Sequence, residues 1–196
     1  VEKQQGVPEG YKLTEVGVIP EDWEVYEFGE VLISNQLGGN YANSEKETEY
    51  PLIKMGNVNR GNISLNKIEY VNFQPSEKDR LHFGDVLFNT RNTLDLVGKV
   101  AVWRGELPQA YFNSNLMRLK FNSLHISSDF YMNAVMNSDK FITDLAEVAI
   151  GTTSVAAIYT RDLFKIKFAL APLEEQTAIA TALSDVDELL ASLEAL

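Results

Sequence analysis

Short apolar runs recur through the middle of the chain at residues 51–55, 68–71, 85–88, 98–103 and 116–121, separated by turns that carry Asn or Gly. Runs this short, bounded this way, predict β-strands, and their density predicts a bent sheet or barrel-like body. Upstream, Trp23, Val25 and Phe28 suggest one more strand, Val31 to Ile33 a short helix or loop, and the polar stretch 34–49 a loop. Downstream the period changes. Ser127-Ser128-Asp129 offers a cap for a helix running to Met136, and Ser138-Asp139 a cap for a second in which Phe141, Ile142 and Leu145 share a face. Residues 162–171 return to strand, Leu163, Ile166 and Phe168 alternating around Lys165 and Lys167. Pro172 then suits the first turn of a closing helix, and Glu174 and Glu175 meet the positive end of its dipole. Along that helix Ile179, Leu183, Val186, Leu190 and Leu193 recur at alternating spacings of four and three, the seam of a helix that packs along another helix. The fold class expected is α+β, with an irregular lead-in over 1–20, a β-rich domain with peripheral helices over 21–171, and a helix of coiled-coil character over 172–196.

A chain of 196 residues is long enough for one domain with a real core. No run of about eighteen apolar residues and no basic-apolar leader is visible, so the expectation is a cytoplasmic protein with no membrane contact. The absence of cysteine excludes disulfides and thiolate metal sites. A net charge of −11 looks hostile to a nucleic-acid partner, because phosphate contacts call for Lys and Arg. Its distribution changes the picture. Residues 51–120 hold ten Lys/Arg against six Asp/Glu, leaving seven against twenty-two elsewhere, and residues 173–196 carry six acidic side chains and no basic one. A basic middle and an acidic tail allow a DNA-facing side and a protein-facing side.

Catalytic chemistry is hard to place. His82 and His125 lie far apart with no zinc-helix spacing, no phosphate-binding glycine loop is present, and no Asn-Pro-Pro-Tyr element of the kind an amino-methyltransferase needs appears. The expectation is a protein that is not an enzyme, with no metal and no cofactor of its own.

Base readout, in contrast, has abundant material. Arg and Lys pair with guanine edges, Asn and Gln with adenine, and Ser and Thr with either. Lys54, Asn57, Asn59 and Arg60 follow the run at 51–55; Asn89, Thr90, Arg91 and Asn92 follow the run ending at Phe88; Asn113, Ser114 and Asn115 precede the run at 116. Gathered on one side, these loops would make a polar, modestly basic rim able to enter a major groove. Asn also supports turns through its own backbone, and loop arginines are also simply solvated. Gly151-Thr152-Thr153-Ser154 is either a turn that sets hydroxyls and N–H groups against a phosphate or one that closes the fold. Trp103, Tyr111 and Phe112 read as core.

Three segments, in order, carry a family resemblance. Residues 10–25, Gly-Tyr-Lys-Leu-Thr-Glu-Val-Gly-Val-Ile-Pro-Glu-Asp-Trp-Glu-Val, look like the entry to a target-recognition domain; Gly151-Thr-Thr-Ser154 with Ile158 resembles that family's Gly-Thr-Thr element; and Ile166-Lys-Phe-Ala-Leu-Ala-Pro-Leu-Glu-Glu-Gln176 leads into a leucine-rich helix. Together they resemble the specificity subunit of type I restriction-modification systems. The resemblance implies that 21–171 is a DNA target-recognition domain and 172–196 the start of a conserved helix for dimerisation or partner docking. It implies sequence-specific binding of double-stranded DNA at one half of a bipartite target, with Thr152 and Thr153 joining the rim residues. Modification (methyltransferase) and restriction (translocase/nuclease) subunits are the implied partners, holding S-adenosylmethionine and ATP respectively, and a homodimer through the helix is a further implication. Two other readings stay open: a scaffold half-subunit acting through its helix, and the recognition region of a fused restriction-methylation enzyme.

Overall fold

The apolar runs become strands in the structure, a computed structural model that describes residues 7–194. Tyr11–Thr14 (β1) and Gly17–Pro20 (β2) pair as an antiparallel hairpin, so the glycines and prolines of the expected irregular lead-in mark turns of an ordered element. Residues 1–6 of that lead-in, and the last two of the expected helix, lie outside the described residues. Glu24–Glu27 (β3), a 3₁₀ turn over Phe28–Val31 and Leu32–Leu37 (β4) follow. Then come Asn43–Ser44 (β5), Pro51–Ile53 (β6), Glu69–Val71 (β7), Val86–Asn89 (β8) and Arg91–Asn92 (β9). Val100–Val102 (β10), Tyr111–Phe112 (β11) and Leu116–Phe121 (β12) complete the middle. Asp129–Met136 (α1) and Asp139–Val148 (α2) start where expected, capped by the hydroxyls of Ser128 and Ser138, which accept from the N–H groups of Phe130 and Phe141. Ile150–Gly151 (β13), Ala156–Ala157 (β14), a single turn Thr160–Leu163 (α3), Lys167–Leu170 (β15) and the long helix Leu173–Glu194 (α4) end the chain.

The central sheet has the order β10-β8-β12-β4, antiparallel throughout. β8 is apolar without alternation because both faces of this sheet are covered. On one face Phe88, Met117 and Leu119 meet Met132, Phe141, Leu163 and Phe168, with Phe28 packed edge-on against the rings of Phe121 and Phe141. On the other, Leu87, Ala101 and Leu116 meet Ile53, Phe112 and Trp103, contributed in part by a second sheet of order β11-β6-β7-β5. Trp103, Tyr111 and Phe112 are buried, as the sequence predicts.

The architecture is α+β, but the barrel-like closure expected of the body is not realised: none of the sheets among the described residues closes on itself. Two boundaries also differ. The stretch 34–49 expected as loop holds β5 and most of β4, an edge strand whose backbone pairs with β12 while Ser34 and Asn35 stay in water, so it carries no apolar alternation to betray it. The strand expected over 162–171 is confined to β15, since Leu163 closes α3 and Ile166 follows it in a turn, its N–H donating to the carbonyl of Leu163.

Candidate nucleic-acid interface

The strands of the central sheet deliver several loops to one end. β8 finishes at Asn89, and the N–H and hydroxyl of the next residue, Thr90, both donate to the carbonyl of Asn115, each at 3.0 Å. The N–H of Asn113 donates to the carbonyl of Ile53 at 3.1 Å, which brings the end of β6 and Lys54 alongside. The small sheet β13-β14-β9 adds the remaining segment: β9 pairs with β14, and the N–H of Leu94 donates to the carbonyl of Thr153 at 3.2 Å. Lys54, Thr90, Arg91, Asn92, Asn113, Ser114, Asn115, Thr152 and Thr153 therefore share one rim, fixed by main-chain bonds rather than by flexible side chains.

Within the rim the groups differ in freedom. Arg91, Thr152 and Thr153 are exposed. Asn92 and Asn113 use Oδ1 to accept the N–H of Thr93 at 2.9 Å and of Asn115 at 3.3 Å, while among the described residues their Nδ2 groups make no bond to protein. Asn115 turns its amide toward the sulfur of Met55. Lys54, half-buried, is paired with Glu69 at 2.9 Å. The turn at 151–154 is strict. Gly151 has φ 150°, and a Cβ there would stand 2.2 Å from the carbonyl oxygen of Val155.

Four of the expected contact residues are placed elsewhere. Asn57 is buried, its Oδ1 accepting the N–H of Lys54 and its Nδ2 donating to the carbonyls of Ser64 and Lys67, so it shapes its own loop. Asn89 is buried with no exposed surface and accepts the N–H of Arg91 at 3.2 Å. Asn59 and Arg60 belong to a hairpin that runs beside β10, where the N–H of Gly61 donates to the carbonyl of Val100. Arg60 lines a groove of roughly 660 Å³ between that hairpin, α1 and α4.

The sequence did not single out Gly38 and Gly39, which join the same rim. The N–H of Gly39 donates to the carbonyl of Phe112, and its own carbonyl accepts from Ser114. A Cβ at Gly38 would lie 2.3 Å from the carbonyl oxygen of Phe112. The consecutive glycines were the available signal, since backbones approach this closely only where a side chain is missing.

A second polar assembly escaped notice because its members are far apart in sequence. Asp85, with no exposed surface, accepts from Arg118 at 2.9 Å, from the N–H of His82 at 3.0 Å, and from Lys120. Arg118 also donates to Gln36 and to the carbonyls of Lys78 and Arg80, and lies over the ring of Phe112. Every group around Asp85 serves the fold, tying residues 78–85 across β12. Among the described residues no cluster of His, Asp and Glu stands together as a metal site, and no helix is long and apolar enough to cross a membrane.

The tail leaves its seam open. Ile179 packs against the body, whereas Leu183, Val186, Leu190 and Leu193 are 45–56% exposed.

Comparison with known proteins gives this geometry a family. The model of the type I restriction modification DNA specificity domain matches residues 20–195. The putative type I restriction enzyme MjaX specificity subunit of Methanocaldococcus jannaschii is 31% identical over 188 residues, which cover 94% of this chain and 44% of that protein. The type I restriction enzyme MjaVIII specificity subunit of the same organism is 31% identical over 189 residues, covering 92% and 43%. The chain thus spans less than half the length of these curated relatives. Among solved structures, the HsdS subunit from Thermoanaerobacter tengcongensis has a TM-score of 0.61 at 16% identity, covering 89% of this chain and 44% of that one. The S subunit of a type I restriction-modification system from M. genitalium has a TM-score of 0.59 at 15% identity, covering 88% and 41%. At those identities the structural likeness is one of fold, while the family model spans the β-rich body and the closing helix alike: the chain belongs to the type I restriction modification DNA specificity domain family.

Proposed function

We propose that this chain reads one half of a bipartite DNA target as part of a type I restriction-modification specificity subunit, and that it is itself non-catalytic. The observation that carries the reading is the main-chain bonding of Thr90 to Asn115, Asn113 to Ile53 and Leu94 to Thr153, which gathers four segments rich in Asn, Thr and Arg at one end of the sheet. Arg91 and the free amides of Asn92 and Asn113 supply base-edge donors. The hydroxyls of Thr152 and Thr153 and the ammonium of Lys54 supply phosphate contacts. Asn57 and Asn89 have no such role, being buried, and Asn59 and Arg60 lie off this rim.

The exposed leucine face of α4 is the surface for protein partners: a modification subunit, a restriction subunit, or a matching helix of a second copy. S-adenosylmethionine and ATP belong to those subunits. The same exposed face favours one competing reading, a scaffold that acts through its helix without touching bases.

Binding to duplex DNA in complex with a modification subunit separates the two. Arg91→Ala is expected to weaken binding to the preferred sequence by about 1–3 kcal/mol and to relax the preference at one base pair, as loss of a paired guanine contact does. Equal weakening on every sequence would make Arg91 a phosphate contact. Binding that ignores both the substitution and the salt concentration would favour the scaffold.

A further inference from the structure

The closing helix meets the body over its first turns and leaves it farther along. Its root is fixed: Gln176, 1% exposed, donates to the carbonyls of His125 and Ala171 and accepts the N–H of Ser127, and Trp23 Nε1 donates to Glu175 at 3.0 Å. Ile179 and Ala180 pack against the body one turn later. Beyond them the contact opens into the groove of roughly 660 Å³, with Leu183 and Leu190 on one wall and Phe130 and Ala134 on the other. A gap of that size means that close packing does not set the helix direction there. Among the described residues, one polar bond crosses it: Arg104 Nη2 donates to Asp187 Oδ2 at 2.9 Å. The same guanidinium lies over the ring of Phe130, 5.1 Å from its centroid, which holds the arginine in place. Asp187 is eleven residues beyond Gln176, about 16 Å along the helix at 1.5 Å per residue.

We propose that Arg104 is a positioning residue that sets the angle of α4 against the body through the single ion pair with Asp187. The geometric claim stands on these contacts alone. Its consequence, that the angle places a protein docked on α4 relative to the DNA-reading rim, rests on the function proposed above. Because the tie is an exposed ion pair across an open gap, the angle is sensitive to salt: the screening length shrinks from about 10 Å at 0.1 M to about 3 Å at 1 M.

The chain has no cysteine, so spin labels go only where they are introduced. Asn66→Cys on the body and Ser192→Cys near the far end of α4, both exposed, give a pair whose distance distribution reads the angle in the chain alone, without DNA. The expected result at low salt is one narrow distribution. Arg104→Met and, at an exposed helix position that cannot unfold the body, Asp187→Asn should each give roughly a doubling of its width, since the helix is released at a point about 16 Å from its root and the label at Ser192 lies farther out still, about 24 Å. Raising salt to 1 M should broaden the parent likewise, and exchanging the charges (Arg104→Asp with Asp187→Arg) should restore the narrow distribution. Unchanged widths in both single variants overturn the proposal. Broadening in Arg104→Met but not in Asp187→Asn also overturns it, by assigning the effect to the lost stacking on Phe130. Either failure leaves the DNA-reading proposal standing, because its own test is the Arg91 variant on DNA.

Discussion

Asn57 commits its whole side-chain amide to the 54–67 loop, one bond received and two donated. Asn57→Ala would leave two carbonyls and one N–H short of a partner in a buried place. Unmet groups of that kind cost about 1–3 kcal/mol each before relaxation or water entry. A drop of several degrees in melting temperature with unchanged DNA sequence preference is expected; altered preference with unchanged stability would return Asn57 to the rim. Tyr41 makes a different residue-scale prediction. Burial first, and then the bond its hydroxyl donates to Asp79, push its pKa from 10.0 up to about 12. Between those values the unfolded chain has released the proton that the folded chain keeps. Stability from this group is therefore complete below pH 10 and declines as pH rises toward 12. Tyr41→Phe should flatten that part of a stability-against-pH curve, leaving the smaller slope due to Tyr111 and Tyr131, which burial raises in the same direction. An identical slope in the variant would show that the Tyr41 proton is not linked to folding.

At the scale of elements, the turn between β13 and β14 is the most demanding piece of the rim. Gly151→Ala would force a methyl group against the Val155 carbonyl at a φ that L-residues rarely adopt. Overpacking of this kind costs about 1–3 kcal/mol, and here the hairpin carrying Thr152 and Thr153 would have to shift. Hydrogen exchange should show faster exchange at the N–H groups of Thr152 and Leu94 while β8 and β12 stay protected; equal protection throughout would mean that the hairpin absorbs the methyl group. This turn was visible in the sequence as Gly-Thr-Thr, though not which of its two readings held. Here it both shapes the fold and reaches the rim. Elements governed by local rules were legible in the same way: β8 by its apolar run, α1 and α2 by their serine caps. β4 was not, because its pairing is decided by the backbone of β12, and an edge strand with Ser34, Asn35 and Gln36 in its middle looks like a loop. Asn57 and Asn89 defeated the site reading for a related cause. Residue type says that an amide is present, and only the three-dimensional path of the loop says whether it faces water or the loop's own carbonyls.

At the scale of the whole molecule, the uneven charge limits how the rim could hold DNA under the proposed function. With a net charge of −11 the long-range field opposes a polyanion, so affinity must come from a few close contacts. Among the described residues the cations near the rim are Arg91, Lys54 and Lys99, whose carbonyl accepts the N–H of Asn89; Lys54 is already paired with Glu69, and Lys99 adds a small part to holding the Asp95 carboxyl below its usual range, after the Thr93 hydroxyl and the backbone N–H of Asp95. Two or three phosphates at most can be neutralised there. For duplex DNA, each neutralised phosphate contributes about −0.9 to the slope of log binding constant against log salt, so this chain alone should give a slope of roughly −2 to −3. Titration of labelled duplex at several salt concentrations, read by fluorescence anisotropy, measures it directly. A steeper slope in complex with a modification subunit is expected, because the additional cations then belong to the partner. A slope beyond about −5 for the isolated chain would require more cations than the rim holds, and would move the DNA to another surface, with the groove of Arg60 and Arg104 the first place to look.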